Sequence, residues 1–544
     1  MIANLIPAAD RARYRAAGLW RDTVLTQALD RWADAAPDKP AIVECRKDGG
    51  ITRLTYAELR ERTDRIAAGL AAEGVRAGDI VSLQLPNWWE FTALYLALAR
   101  LDAIINPIMP IFRAHEVVRI LGDTASRLLV IPATFRRFDH QAMIAELMPR
   151  LPALERVFVV DGAPIEPFRS FGDLWARPSA APQRTPPDPD GVTELLFTSG
   201  TTGSPKGVLH SHNTLLAPVF ACADRLGLHQ DDVIFMASPF AHQTGFDYGM
   251  VQGVLLGTTT VYLDQWDPSL AWQLMADYRV TFTMGATPFL ADMVREAARR
   301  AASLPALRYF IAAGAPIPRA IVEEAGRRMP SLHVLAGWGM TENGLVTING
   351  PTDPIAKVYT TDGSPQPGME VRIADEGGQT LPAASEGYLK VRGSQNFVGY
   401  FGDEAGYRKS FDADGWFQTW DLAAQDAEGY IRITGRAKDV INRGGEKVPV
   451  AEVEDLIHRH PKVREAALVA MPHPRLGETG CLFAVPHEGQ QLTFEEIIAH
   501  LRGAGLTPQF LPERLELAAA LPRTPSGKIQ KYLLREEIAK RLPQ

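Results

Sequence analysis

Short apolar runs alternate with segments of helical period along most of the chain, and this alternation constrains the fold more than any other feature. Thr55–Gly74 has apolar residues at helical spacing and ends at a glycine; the strand-like run Ile80–Leu85 and a second helical segment, Trp88–Leu101, follow. Further strand candidates are Leu195–Phe197, Val233–Met236, Thr259–Leu263 and Val280–Met284, with a helical pattern at Ala291–Ala302. Such alternation is typical of α/β layers.

The pattern changes from about residue 361, where short strands separated by Gly and Asp turns indicate a small β-rich subdomain. Its strand candidates are Gly387–Val391 and Tyr430–Thr434. A compact α+β pattern runs from there to the end, with helices at Ala451–His460 and Phe494–Gly503 and a strand at Ala466–Met471. The 544 residues are too many for one ordinary core, so we expect roughly two to four domains.

Composition excludes several classes of protein. The net charge of -7 argues against general nucleic-acid binding, which usually leaves a strongly basic surface. The three cysteines, Cys45, Cys222 and Cys481, form no CxxC pair, which favours a reduced, cytoplasmic setting. We expect no secretory signal at the N-terminus. The most apolar region, Trp88–Phe112, is interrupted by charges and prolines, so it predicts buried core and no membrane span.

The segment Thr198–Gly207, TSGTTGSPKG, follows a strand candidate and carries the strongest chemical signal. Its three glycines allow tight turns and close backbone approach to a ligand. Its hydroxyls and the cation of Lys206 suit a triphosphate. It is not the Walker pattern, because Lys206 is followed by glycine.

TSGTTGSPKG resembles the phosphate-loop signature of the adenylate-forming superfamily, which includes acyl-CoA synthetases, peptide-synthetase adenylation domains and beetle luciferases. The other family motifs follow in order, so the resemblance covers roughly residues 55–528. It implies a large N-terminal domain (1–434) of two α/β subdomains plus a small β-barrel-like subdomain, a hinge (435–438) and a small mobile α+β C-terminal domain (439–544). It also implies that the protein uses ATP and Mg²⁺, with coenzyme A as a co-substrate.

The resemblance assigns the nucleotide site to named residues. In GWGMTENG, Trp338 would stack on adenine, Thr341 would contact phosphate, and Glu342 would help to hold Mg²⁺. In TWDLA, Asp421 would hold the ribose with Arg436, and a tryptophan replaces the usual glycine before Asp421, which predicts altered local packing. The remaining nucleotide-binding residues implied are Thr198, Ser199, Gly200, Thr201, Thr202, Gly203, Gly314, Ala315, Pro316, Gly337, Gly339 and Met340.

The family chemistry has two steps, and the resemblance assigns residues to each. Lys528 of PRTPSGKIQK would reach the substrate carboxylate and the α-phosphate during adenylation, and it is also a candidate for lysine acylation. Lys438 would be the hinge about which the small domain turns. Gly444 and Gly445 would line the path of the pantetheine arm, and His242 of PFAHQTGF would gate the thiol tunnel, where a general-base role is not required of it.

The same resemblance outlines the acyl pocket, for which we expect Phe246, Tyr248, Met284, Ala313, Gly314, Met340 and Val346. These side chains are mostly bulky and apolar, which favours a medium-chain, alicyclic or small aromatic acid. GWGMTENG and GGEKVPVAEVE are most similar to the cyclohexanecarboxylate and short- to medium-chain acyl-CoA ligases. Phe246 and Asp247 resemble the Phe-Asp pair with which peptide-synthetase adenylation domains bind a substrate amino group, but the spacing to Gly257 favours a loop Asp at the pocket wall, and whether it acts as a cap is left open.

The sequence favours an acid–CoA ligase over three alternatives. An amino-acid-adenylating enzyme would need a separate carrier protein, because little sequence follows Lys528. A luciferase-like monooxygenase shares the adenylation motifs, so this alternative stays open, and light emission with a luciferin would decide it. A regulatory nucleotide-binding protein is disfavoured by intact Lys206, Glu342 and Asp421. The oligomeric state, a homodimer included, is left open.

Overall fold

The computed structural model describes residues 2–176, 186–198, 206–314, 317–437, 439–443, 446–524 and 527–542. Its α-helices are α1 Ala8–Ala16, α2 Leu25–Ala35, α3 Tyr56–Ala72, α4 Trp89–Arg100, α5 Ala114–Thr124, α6 His140–Leu147, α7 Gly172–Trp175, α8 His212–Leu226, α9 Gln243–Gly245, α10 Gln252–Leu256, α11 Pro268–Asp277, α12 Thr287–Arg300, α13 Arg319–Arg328, α14 Ile355–Thr360, α15 Glu404–Lys409, α16 Val450–His458, α17 Phe494–Gly503 and α18 Lys531–Arg541. A π-helix, Phe246–Val251, joins α9 to α10, and Met148–Arg150 and Pro508–Phe510 are 3₁₀ turns.

The strands are β1 Pro40–Cys45, β2 Ile51–Thr55, β3 Ile80–Leu83, β4 Ile104–Pro107, β5 Leu128–Pro132, β6 Thr134–Phe135, β7 Phe138–Asp139, β8 Arg156–Val160, β9 Arg169–Ser170, β10 Val192–Thr198, β11 Lys206–Ser211, β12 Val233–Met236, β13 Thr259–Leu263, β14 Phe282–Gly285, β15 Tyr309–Ala312, β16 His333–Met340, β17 Gly344–Ile348, β18 Ser364–Pro365, β19 Met369–Ala374, β20 Glu386–Gly393, β21 Gly399–Tyr400, β22 Phe417–Gln425, β23 Ile431–Arg436, β24 Ile441–Arg443, β25 Glu446–Val448, β26 Val463–His473, β27 Gly477–Pro486 and β28 Arg514–Leu517.

Helix α3 shows how local sequence sets an element. The Thr55 hydroxyl accepts from the Glu58 backbone N–H, and the Glu58 carboxylate accepts from the Thr55 N–H at 2.8 Å. This reciprocal pair satisfies two donors that a helix start otherwise leaves free. Gly74 ends the segment with φ of +86°, a conformation that glycine adopts at no steric cost. The helix predicted from Thr55–Gly74 is therefore confirmed.

Two mixed sheets form the large N-terminal domain. One has the order β18-β17-β16-β15-β14-β12-β13-β1-β2, and the other has the order β21-β11-β10-β4-β3-β5-β8-β9. The most apolar helix, α4, is buried along its whole length up to Arg100, in a core cluster that the two sheets share. Across the described residues, no helix is long and apolar enough to cross a bilayer. The predicted α/β architecture with a buried Trp88–Phe112 region is confirmed.

A four-stranded antiparallel sheet, β19-β20-β22-β23, forms the predicted β-rich subdomain. The small C-terminal domain is built on β25-β24-β27-β26, with β28 paired to β27, and it has apolar clusters of its own. Strand β23 runs through Gly435 and Arg436, the first two residues of the predicted hinge. Lys438 lies outside the described residues, so the domain bounds stay a prediction.

The sheet topology decides where a site can form. Strands β14, β15 and β16 are parallel neighbours, and they end at Gly285, Ala312 and Met340. Segments that follow these three strands therefore emerge at one edge of the sheet. Ligands of open α/β sheets bind outside the carboxyl ends of the strands. Gly314 follows β15 and Glu342 follows β16, and the motifs predict both residues for the nucleotide site.

Candidate active site

The ends of the glycine-rich loop are held side by side. Strands β10 and β11 pair antiparallel with Thr198 opposite Lys206, and the Thr198 hydroxyl lies 3.4 Å from the Lys206 carbonyl oxygen. The loop residues predicted to bind phosphate, Ser199, Gly200, Thr201, Thr202 and Gly203, lie outside the described residues, as do Ala315 and Pro316. The pairing places Lys206 directly opposite Thr198, the last described residue before the loop.

Lys206, Tyr400 and Glu342 come together from three distant segments. The Lys206 Nζ lies 4.6 Å from the centroid of the Tyr400 ring, and the Tyr400 hydroxyl donates to Oε1 of Glu342 at 3.1 Å. Burial raises the pKa of Glu342, while the Tyr400 hydrogen bond and the charges of Arg436 and Lys206 oppose that rise. Sequence reasoning missed Tyr400, which the β11–β21 pairing places beside this site.

His210 supports the neighbouring Thr341 and was also missed. Its Nε2 lies 2.7 Å from the Thr341 carbonyl oxygen, and its Nδ1 lies 3.1 Å from the Thr214 hydroxyl. Burial lowers the pKa of His210 to about 4, so the ring is neutral and its Nε2–H is the donor to Thr341. The sequence signal was a histidine inside a buried strand, which has no specific meaning without the partner across 131 residues.

Asp421, Arg436 and Trp338 form a second group. Asp421 and Arg436 are register partners on β22 and β23, with Arg436 Nε 2.9 Å from Asp421 Oδ1. The indole Nε1 of Trp338 donates to the other carboxylate oxygen of Asp421 at 2.8 Å. Interaction with Asp421 raises the pKa of Arg436. The structure therefore brings together the residues predicted for adenine and ribose.

Trp420, next to Asp421, departs from the family glycine, and its backbone explains why glycine is usual there. Its φ is +63°, in the left-handed region that disfavours residues with a side chain. Its side chain is 58% exposed and meets the Tyr388 ring edge-on, at 6.3 Å between centroids. The indole therefore points to solvent, and Asp421 keeps its place in the site.

Lys528 joins this site from the C-terminal domain. A methyl group at Gly314 would lie 3.7 Å from its Cε, so the lysine reaches the carboxyl edge of β15. The turn that presents it is closed by a 2.7 Å bond from the Thr524 N–H to the Lys528 carbonyl. Burial and then the charge of Arg436 lower the pKa of Lys528 to about 8. A residue of the C-terminal domain thus lies beside Gly314 and close to Asp421 and Arg436 of the predicted ribose site.

His242 also lies near Lys528. Burial and then the Lys528 charge lower the pKa of His242 to about 3, so the imidazole is neutral at ordinary pH. Its Nδ1 accepts from the Thr244 backbone N–H at 3.2 Å, which fixes the ring at the start of α9. Its predicted role at the thiol tunnel stays a prediction, because Gly444 and Gly445 lie outside the described residues.

The predicted acyl-pocket residues fall into two neighbouring apolar clusters. Phe246, Tyr248, Met284 and Ala313 belong to the large core cluster, whereas Met340 and Val346 pack with Trp338. The Phe246 ring meets the Tyr95 ring edge at 4.9 Å, and the Tyr248 hydroxyl accepts from the Leu345 N–H at 2.9 Å. Phe246 and Tyr248, two of the pocket candidates, are therefore held in place by contacts with Tyr95 and Leu345.

The prediction that Asp247 lies in a loop is wrong. Asp247 lies within the π-helix, is 1% exposed, and neither carboxylate oxygen has a hydrogen-bond partner among the described residues. Glu194 of β10 is buried nearby and accepts from Gln243 at 3.1 Å. Burial, and for Asp247 also the neighbouring Glu194, raises the pKa of both carboxyls. Two buried carboxyls with raised pKa values therefore lie beside each other next to α9.

The chain is similar to known proteins along most of its length. The family described as AMP-binding enzyme matches residues 29–401, and the AMP-binding enzyme C-terminal domain matches residues 452–528. A medium-chain fatty-acid–CoA ligase of Escherichia coli strain K12 is 36% identical, over 98% of this chain and 94% of that ligase. A salicyl-AMP ligase / salicyl-S-ArCP synthetase of Mycobacterium tuberculosis is 34% identical, over 96% and 92%.

Solved structures are similar to this chain over nearly its whole length. The crystal structure of ATP-bound MatB from Rhodopseudomonas palustris superposes with a TM-score of 0.83 at 28% identity, covering 95% of this chain and 99% of that one. The similarity extends over both the large and the small domain.

Proposed function

The chain belongs to the AMP-binding enzyme family of adenylate-forming ligases, and we propose that it joins a carboxylic acid to coenzyme A, releasing AMP and pyrophosphate. One observation carries the proposal. Lys528 from the small domain lies against Gly314, within the field of Arg436 and Asp421. This arrangement supports a site assembled for the first step, formation of the acyl-adenylate.

In that step a carboxylate oxygen of the acid attacks the α-phosphorus, the α–β anhydride bond breaks, and pyrophosphate leaves. Lys528 and Lys206 are the cations that would offset the charge developing on the phosphates. Asp421 and Trp338 would orient the nucleoside, since one carboxylate oxygen is already held by the indole and each oxygen has a further lone pair.

Glu342 fits a role in binding Mg²⁺. Its carboxylate is buried and hydrogen-bonded through one oxygen, a hard ligand suited to this cation. Among the described residues no group of three His, Cys, Asp or Glu side chains could hold a metal. Phosphate oxygens of ATP and water would supply further ligands. When bound, Mg²⁺ would neutralise phosphate charge.

In the second step the sulfur of coenzyme A attacks the acyl carbon of the mixed anhydride, AMP leaves, and the thiol proton passes to water. A turn of the small domain about Lys438 would withdraw Lys528 and bring Gly444 and Gly445 to the site. His242 would line the thiol path as a neutral group, since its lowered pKa leaves it uncharged.

The acid is proposed to be medium-chain, alicyclic or small aromatic, and the enzyme to be cytoplasmic. The support for the acid is the bulk and burial of Tyr248 and Met284 and the names of relatives that act on medium-chain fatty acids and on salicylate.

Acylation of Lys528 is proposed as a means of control. A neutral amine is the nucleophile in that reaction, and the lowered pKa of Lys528 increases its neutral fraction.

A second candidate function is transfer of the acyl group to a separate carrier protein. It is favoured by one relative, named as a salicyl-S-ArCP synthetase and 34% identical. The two functions share the adenylation step and differ only in the thiol that attacks.

The test is pyrophosphate release with ATP and Mg²⁺ across acids from acetate to decanoate, with cyclohexanecarboxylate, benzoate, salicylate, phenylacetate and several amino acids. Each acid is assayed with and without coenzyme A. Strong turnover that requires coenzyme A supports the ligase. Turnover that is indifferent to coenzyme A, or restricted to amino acids, moves the assignment to the carrier-loading function.

A further inference from the structure

Helix α13 of the large domain is capped by a side chain from the small domain. The helix begins at Arg319 after Pro318, which offers no side-chain cap. Instead, the Arg319 backbone N–H donates to Oδ1 of Asp455 at 2.9 Å, across 136 residues. A carboxylate at a helix N-terminus satisfies a free N–H and interacts favourably with the helix dipole. The cap exists only while the two domains keep this orientation.

The large-domain side of this contact is rigid. The Arg319 guanidinium is buried and hydrogen-bonded to the Thr361 carbonyl at 3.2 Å and to Asp362 Oδ1 at 2.9 Å. The second oxygen of Asp362 accepts from the Ile433 N–H, on the strand that leads to the predicted hinge. The N–H that Asp455 binds is therefore held in a fixed position.

A second cross-domain contact lies one turn along α16. Arg459 Nη2 is 3.6 Å from Glu323 Oε1 of α13 and 3.6 Å from Asp455 Oδ2. The same guanidinium thus holds the capping carboxylate and reaches the helix that is capped. These groups join α13 and α16 at one place on the domain boundary.

Polar contacts connect α16 to the segment that carries Lys528. Glu454, beside Asp455, accepts from the Leu468 N–H and lies 2.8 Å from the Lys531 ammonium. Lys531 begins α18, three residues after Lys528. A short series of polar contacts therefore connects the Asp455 cap to the segment that carries Lys528 into the site.

We propose that Asp455 is a positioning residue, which holds the small domain in the orientation that places Lys528 in the adenylation site. The inference rests on the proposed function. It assigns Asp455 to the first step alone, because a domain that turns for the second step must leave the α13 N-terminus.

The experiment compares Asp455→Ala, Asp455→Asn and Glu452→Ala in separate half-reactions. Adenylation is followed by acid-dependent exchange of pyrophosphate into ATP, using the best acid of the panel. Thioester formation is followed from synthetic acyl-adenylate and coenzyme A. Asp455→Ala should lower exchange roughly fivefold, a typical loss for a helix cap, and leave thioester formation unchanged or faster. Asn caps helices as well as Asp does, so Asp455→Asn should remain within about twofold of wild type.

Glu452 is the matched control, because it is an exposed carboxylate in the first turn of the same helix. Equal losses in both half-reactions, or an Asn variant no better than Ala, would overturn the inference. The inference would also be overturned if the wild type catalyses pyrophosphate exchange and Asp455→Ala catalyses it at the same rate. Absence of exchange in the wild type with every acid would instead contradict the proposed function, so the two failures are distinct.

Discussion

The indole N–H of Trp338 is hydrogen-bonded to the carboxylate of Asp421, at 2.8 Å and across 83 residues of sequence. This bond and the Arg436 ion pair hold the two oxygens of Asp421 separately. A residue expected to stack on adenine thus also orients the residue expected to hold the ribose. The two halves of the proposed nucleoside site are therefore coupled.

Trp338→Phe keeps an aromatic face and removes the donor to Asp421. A hydrogen bond to a charged group contributes about 1.5–3 kcal/mol, and part of that loss should reach nucleotide binding. We expect kcat/KM for ATP to fall roughly fivefold or more, with little change in KM for the acid. Trp416→Phe is the control, since that indole lies between Arg372 and Arg392. An equal effect on the KM of the acid would contradict the coupling.

The lowered pKa of Lys528 predicts a basic limit to adenylation. The cation needed at the phosphates predominates below the pKa of about 8 and is lost above it. Because kcat/KM reports groups of the free enzyme, its value for ATP in pyrophosphate exchange should fall above about pH 8. Lys528→Arg stays charged and should lose this limit, whatever its absolute rate. Persistence of the same basic limit in Lys528→Arg would assign it to another group.

Glu342→Gln tests the proposed metal site. The amide keeps the hydrogen bond from Tyr400 but removes the charge that favours a divalent cation. We expect adenylation to fall on the order of 100-fold, within the range for lost electrostatic groups, and half-saturation by Mg²⁺ to require higher concentrations. Tyr400→Phe is the milder comparison, since the ring under Lys206 remains. An unchanged Mg²⁺ titration in Glu342→Gln would place the metal elsewhere.

The buried pair of Glu194 and Asp247 predicts stability that decreases with rising pH. Its folded-state pKa values are raised, so above about pH 4, the ordinary carboxyl pKa, the folded state binds more protons than the unfolded state. Stability then falls by up to about 1.4 kcal/mol per pH unit for each group, until the raised pKa is passed. Glu194→Gln should flatten the decline of the thermal midpoint between pH 5 and 8. The exposed Glu376→Gln should not, and equal slopes in both variants would refute the assignment.

Trp420→Gly should stabilise the protein. The left-handed backbone costs a non-glycine residue about 1–2 kcal/mol, and the exposed indole loses little packing when removed. We expect a gain of about 1 kcal/mol in the free energy of unfolding, measured by denaturant titration. Trp420→Ala retains a Cβ and should show no such gain. A lower stability of the glycine variant would mean that the Trp420 ring has a packing role beyond Tyr388.

Periodicity in the sequence determined the elements, because the pattern that makes a helix or strand amphipathic lies within the element itself. The strands Val233–Met236 and Thr259–Leu263 and the helix Phe494–Gly503 have the predicted bounds. Where a neighbouring helix end takes up the first residues of a predicted strand, the bounds moved. The predicted strand start at Val280 instead closes α11, with its N–H bonded to the Met275 carbonyl, and β14 begins at Phe282.

The motifs likewise determined which residues carry charge and hydroxyl groups toward a nucleotide, since a motif is a local arrangement of chemistry. Only the tertiary structure decided their partners. Tyr400 beside Glu342, His210 beneath Thr341, Glu194 beside Asp247 and Asp455 at the start of α13 are contacts between segments far apart in sequence. Such contacts depend on how sheets and domains pack, and a single sequence contains no local pattern that records them.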